Sequence, residues 1–134
     1  MSSENVEIVR RLWEGFERDP GPSLLNLCDE EIEIRNPPEF PVQGPYHGHD
    51  GVRQWAREVW EVIDDLRFEV DEIIEAGDGE TVVTVQRTLG RMRQTQLRSD
   101  FQWAAVWTIR DGKALRAQGY LSRAEALAAA GLGE

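Results

Sequence analysis

Apolar residues near the start of the chain fall in a helical stripe. Val6, Val9, Trp13 and Phe16 recur three or four positions apart, and Ile8 and Leu12 widen the stripe. The spacing predicts a helix over about Glu4 to Arg18, ended by Asp19-Pro20-Gly21-Pro22, since proline lacks a donor and disfavours helical geometry in its predecessor. Ser23 to Cys28 reads as a short helix with Leu24, Leu25 and Leu27 apolar, and Glu31 to Arg35 alternates as a brief strand stopped by Asn36-Pro37-Pro38. Glu39 to His49 reads as an irregular loop. Asp50 is the expected cap of a second long helix reaching about Asp64, with Val52, Trp55, Val59 and Ile63 on its stripe. Three long strands are predicted next, over about Leu66–Ala76, Thr81–Arg93 and Leu97–Arg110, with hairpin turns at Asp78-Gly79 and Asp111-Gly112. A last strand, Lys113–Leu121, leads to Ser122 and Glu125, which match a capping box opening an alanine-rich helix closed by Gly131.

Helices gathered ahead of a run of antiparallel strands predict an α+β fold: a curved antiparallel sheet packed on N-terminal helices, with a short C-terminal helix. The most informative stretch is Phe101 to Ile109. Alternation puts Phe101, Trp103, Ala105, Trp107 and Ile109 on one face, two indoles and a phenyl flanking a single small alanine. Such an uneven wall either packs tightly under helices or leaves a cavity beside the alanine.

At 134 residues the chain is expected to form one domain, residues 1–134, large enough to bury a core without disulfides or metal. A net charge of −10 argues against nucleic acid or an anionic membrane as partner, because both require a basic surface. Cys28 is the only cysteine, which excludes an intrachain disulfide and a cysteine-based metal site. No apolar run approaches the roughly 20 residues of a membrane span. Without a basic segment and apolar run at Met1–Glu4, no signal peptide is predicted, and a cytoplasmic location is expected.

Three segments carry a family resemblance: Gly44-Pro45-Tyr46-His47-Gly48-His49-Asp50-Gly51-Val52-Arg53-Gln54-Trp55, then Trp107-Thr108-Ile109-Arg110-Asp111-Gly112-Lys113, then Tyr120 to Leu127. On these the chain resembles the SnoaL-like polyketide cyclase family, within the nuclear transport factor 2-like superfamily of cone-shaped α+β barrels. The resemblance implies a cone-shaped half-barrel with a pocket between the concave sheet face and the helices, and a homodimer built on the outer sheet face. It implies no single chemistry, since the superfamily hosts cyclases, isomerases, dehydratases, epoxide hydrolases and inert binding modules. Ketosteroid isomerases place a general-base aspartate where this chain has Asn36, and their oxyanion-stabilising tyrosine and acid fall near Leu12 and Ala105. A neutral amide accepts no proton, so that chemistry is unsupported here. Limonene-type epoxide hydrolases match at Asn36 and Arg87, but their two aspartates fall on Leu89 and Gly119. The SnoaL-type aspartate near the end of the last strand meets Gly119 and Ser122.

Arg87 alternates with Val83, Val85 and Leu89, and pairing of the two long strands would bring it near Trp103, where a guanidinium can clamp a carboxylate, phenolate or enolate. His47, beside Gly48 and His49 in the loop entering the second helix, is a candidate general base. Trp13, Leu89, Phe101, Trp103 and Trp107 are the expected apolar walls, with Asn36, Arg87 and His47 as polar anchors. Tyr46, Trp55, Trp60 and Tyr120 are pocket candidates by fold analogy, although Tyr120 alternates with Arg116 and Gln118 and so points to the outer face. Arg91, Arg93 and Arg98 cluster at a hairpin tip. The expected ligand is a small hydrophobic or aromatic molecule, without metal or organic cofactor. Three readings stay open: acid–base chemistry on an enolisable or polyketide-like substrate, a non-catalytic binding or dimerisation module, and a hydrolase or dehydratase using His47.

Overall fold

In a computed structural model of the protein, residues 3–17, 22–40, 42 and 44–132 are described. The elements in order are α1 (Ser3–Phe16), α2 (Pro22–Leu25), β1 (Cys28–Arg35), β2 (Tyr46–His47), α3 (Gly48–Val62), β3 (Ile63–Glu75), β4 (Thr81–Met92), β5 (Arg98–Arg110), β6 (Lys113–Tyr120) and α4 (Arg123–Ala129). The six strands form one open sheet in the order β2-β1-β6-β5-β4-β3. The expected α+β architecture holds. The long strands β3 to β6 are successive antiparallel neighbours, while β1 joins β6 in parallel, so the sheet is mixed rather than purely antiparallel.

Most differences from the sequence reading lie at element ends. Cys28 already belongs to β1, and Tyr46–His47 form a short strand inside the expected loop because they pair with Ile34 and Glu33. The second long helix starts at Gly48, with His47 in the capping place and no side-chain cap. Asp50 instead lies in the first turn and accepts from Arg53 Nη1 at 2.7 Å. That helix runs into β3 with no intervening loop. Ser122 caps α4 as expected, accepting from the backbone N–H of Glu125 at 3.2 Å. The breaker expected at Asp19-Pro20-Gly21 lies outside the described residues.

The sheet buries different residues on its two faces. α1 touches β3, β4 and β6, so the sheet wraps around it, and α3 closes the β1 side. The main core lies between these helices and the inner sheet face and includes Leu12, Trp13, Phe16, Trp55, Phe68, Trp103 and Trp107. A smaller cluster sits on the outer face, where Ala126 of α4 covers Val83, Val85 and Ala104. Tyr120 packs against this second cluster, as its alternation indicated.

Candidate functional site

The register of the β4–β5 hairpin decides which side chains meet. Val82 pairs with Trp107, Thr84 with Ala105, Gln86 with Trp103 and Thr88 with Phe101. Directly opposed residues share a face, so the inner face of β4 carries Val82, Thr84, Gln86 and Thr88. Arg87 pairs with Gln102 and Leu89 with Asp100, on the outer face.

Aromatic rings fill the space above this surface. Trp13 stands edge-on to both Trp103 and Trp107, with ring centroids 5.7 Å away in each case, and lies 4.9 Å from Phe68. Phe16 packs on Trp55 at 4.8 Å. Phe40 closes the far side, 5.0 Å from Trp103 and 5.8 Å from Phe101. A buried indole N–H needs an acceptor, and every indole here has one within the protein. Trp13 and Trp107 both donate to Thr84 Oγ1, at 3.3 and 3.1 Å, and Trp103 donates to Thr88 Oγ1 at 2.9 Å. Trp55 donates to Asn36 Oδ1 at 2.9 Å and Trp60 to the Phe16 carbonyl at 3.2 Å. Thr84 in turn donates to Gln86 Oε1 at 2.8 Å.

What remains open is a cavity of about 20 Å³ bordered by Trp13, Asn36, Trp55, Trp103, Ala105 and Gly119. That is the room one water needs, far below the roughly 300 Å³ of a pocket for a drug-sized molecule. Asn36 is the buried polar side chain on its wall. Its amide is committed at both ends, since Nδ2 donates to the Val42 carbonyl at 2.7 Å. Gly119 is glycine because of a close approach: a Cβ there would lie 2.5 Å from Pro37 Cδ and 3.0 Å from Trp103 Cζ3. The place where the resemblance puts an aspartate therefore has no room for one.

Of the expected site residues, Trp13, Asn36, Trp103 and Trp107 come together around this cavity. Phe101 is half-buried beside Phe40, at the chamber's edge. Arg87 and Leu89 do not join them. Arg87 lies on the outer face, paired with Glu69, with Asp100 Oδ2 3.3 Å from Nη1 and Asp71 Oδ2 3.8 Å from Nε. The expected approach to Trp103 fails because the buried valines sharing its alternation are buried under α4, not in the chamber. His47 is exposed on β2, opposite Glu33. His49 is half-buried, and its Nε2 meets the Cys28 carbonyl at 2.9 Å; a carbonyl only accepts, so that nitrogen carries the proton. Tyr46 is buried, donating to Glu58 Oε1 at 2.6 Å. Burial, then the Glu58 bond, raises its hydroxyl pKa, while hydrogen bonds from Tyr46 and Gln54 hold Glu58 below the usual carboxylate range.

The alternation of β4 by itself misses Thr84, Gln86 and Thr88, because Thr81 to Val85 is nearly apolar on both faces. Their even spacing is legible only once β4 is set in register with the aromatic strand. Among the described residues, no three His, Cys, Asp or Glu side chains are grouped to hold a metal ion. Nor is any described helix long and apolar enough to cross a membrane.

The profile of the SnoaL-like domain family matches residues 9–117. No curated protein sequence matches the chain. Among solved structures, a nuclear transport factor 2-like protein from Burkholderia thailandensis is similar with a TM-score of 0.75 and 27% identity, covering 94% of each chain. TerC, co-crystallised with polyporic acid, is similar with a TM-score of 0.72 and 25% identity, over 96% of this chain and 97% of its own. Bal32a, from a soil-derived mobile gene cassette, has a TM-score of 0.78 at 18% identity, over 89% of both chains.

Proposed function

Because the chain belongs to the SnoaL-like domain family, we propose that it binds a small, flat, mostly apolar or aromatic molecule at the Asn36 end of the chamber, without acid–base catalysis. The observation that carries this reading is the composition of the cavity wall. The wall combines the indoles of Trp13, Trp55, Trp103 and Trp107 with the small residues Ala105, Ala117 and Gly119, and Asn36 is its buried polar side chain. An apolar pocket with few oriented polar groups suits such a ligand. Asn36 offers hydrogen bonds but no proton transfer at neutral pH. The similarity to TerC, a protein co-crystallised with polyporic acid, points the same way.

Phe40 packs against Trp103 and Phe101 at the edge of the chamber, and in this reading its ring turns aside to admit the ligand. The test is a titration with 2-naphthol followed by tryptophan fluorescence. The expected result is saturable quenching in the parent protein, tightened in Phe40→Ala and lost in Ala105→Leu, whose side chain fills the cavity. Binding that Ala105→Leu leaves intact would place the ligand elsewhere.

The small volume of the cavity favours a second reading, in which the interior is only a core and the domain serves dimerisation. A homodimer would use the outer sheet face, where Val106 and Tyr120 are half-buried beside α4. Sedimentation equilibrium separates the two: a dimer with no naphthol binding supports the second reading, and a naphthol-binding monomer the first.

A further inference from the structure

The outer face of the sheet carries arginine on three adjacent strands at one end. Arg67 of β3 lies opposite Leu89 of β4, and Leu89 lies opposite Asp100 of β5. In the next row Arg91 of β4 is directly opposite Arg98 of β5. Between these side chains runs a groove of about 370 Å³ with Leu89 and Gly90 along it. Its shape comes from a bulge in β3. Asp64 pairs with Arg91 and Arg67 with Leu89, which sets the two residues Asp65 and Leu66 opposite the single Gly90. Asp65 takes φ +55°, and Gly90 opposite takes φ +148° where a Cβ would come within 2.6 Å of the Asp64 carbonyl. The bulge aims Asp65 at Arg91, with 2.5 Å between Oδ2 and Nη2.

The charges of this groove do not close among themselves. Asp65 is taken by Arg91, and Asp100 accepts from Arg87 Nη1 at 3.3 Å. Among the described residues, Arg67 and Arg98 have no carboxylate partner within 4.0 Å. Like charges directly opposite each other on a sheet are destabilising. The Arg91–Arg98 pair persists in a chain with 25 acidic residues against 15 basic ones. An anion seated in the groove would relieve that repulsion.

We propose that this groove binds the phosphoryl group of a small phosphate monoester, held by Arg67 and Arg98 with Arg91 behind them. Guanidinium forks match phosphate oxygens in bidentate fashion. Strands about 4.8 Å apart present these donors from several directions. A tetrahedral dianion has oxygens for all of them, whereas a flat carboxylate does not. Leu89, half-buried on the same face, offers an apolar surface to the organic part. The groove lies across the sheet from the aromatic chamber, so this site stands or falls independently of ligand binding there.

The test is calorimetric titration of the full chain with phenyl phosphate, inorganic phosphate and benzoate at roughly 20 mM ionic strength, where screening is weak. Saturable binding of phenyl phosphate is expected, weakened about tenfold or more in the Arg67→Gln/Arg98→Gln variant, for loss of charge-assisted contacts. Arg57→Gln, on the surface of α3, is the control and should bind as the parent does. Circular dichroism checks that each variant is folded. Comparable binding of inorganic phosphate would identify the free ion as a sufficient ligand within the same site. No saturation by either phosphate probe, equal affinity for benzoate, or an unchanged affinity in the double variant would overturn the proposal.

Discussion

The indole N–H of Trp55 donates to the side-chain carbonyl of Asn36 across 2.9 Å, joining the middle of α3 to the end of β1. With Nδ2 given to the Val42 carbonyl, both ends of the amide are used. Asn36→Asp keeps an acceptor for Trp55 but sets a carboxylate oxygen against the Val42 carbonyl in a buried place. The substitution is expected to cost roughly 1–3 kcal/mol at neutral pH, the penalty of a buried group left without its partner. Burial raises the folded-state pKa of such an acid above its unfolded value of about 3.9. The cost is therefore absent below that value and grows as pH rises through the folded pKa. Urea denaturation at pH 4 and pH 7 checks this. A variant relatively more stable at pH 7 would contradict the arrangement.

Thr84 holds two indoles and one amide at once. Thr84→Val preserves shape while leaving Trp13 Nε1, Trp107 Nε1 and Gln86 Oε1 without that partner. A loss of roughly 3 kcal/mol is expected, since each orphaned buried group costs about 1–3 kcal/mol and the site can relax. Adding Gln86→Leu should recover part of the loss by removing one orphan, and the midpoints of chemical denaturation for the single and double variants measure it.

Arg87 belongs to a surface ion cluster with Glu69, Asp71 and Asp100. Arg87→Met should lower the thermal midpoint less than Thr84→Val does, and the difference from the parent should shrink as salt is added, because exposed pairs are screened. Binding of 2-naphthol should be unchanged. A large loss of binding would mean that Arg87 reaches the chamber after all.

Cys28 is buried at the start of β1, and burial pushes its thiol pKa up to about 12. Native protein at pH 8 should therefore be inert to an aromatic disulfide reagent, and one thiol should react once urea unfolds the chain. The sign of the linkage follows from the raised value. The buried neutral thiol contributes stability that is full below the ordinary thiol pKa and is lost as pH rises towards about 12. Rapid reaction of the native protein would contradict the burial.

Local pattern was enough to reveal most of the elements. The stripes of α1 and α3, the three long strands and the capping box of Ser122 and Glu125 are properties of neighbours in the chain, and each spacing survives in the fold. The inner face of β5 was legible for the same reason, because Phe101, Trp103, Ala105, Trp107 and Ile109 alternate without ambiguity. The family resemblance likewise rests on linear motifs. The tertiary structure alone decided where β4 turns its polar residues. Thr81 to Val85 offers apolar residues to both sides, so its period does not say which side meets the helices. Docking of α4 over Val83 and Val85 sends Arg87 and Leu89 outward and Thr84, Gln86 and Thr88 inward. A shift of one residue exchanges the two faces of a strand, and only contacts between residues far apart in the chain select the register. The size of the chamber is a tertiary property for the same reason. It depends on how closely Pro37 and Trp103 approach Gly119, distances that no spacing along the chain contains.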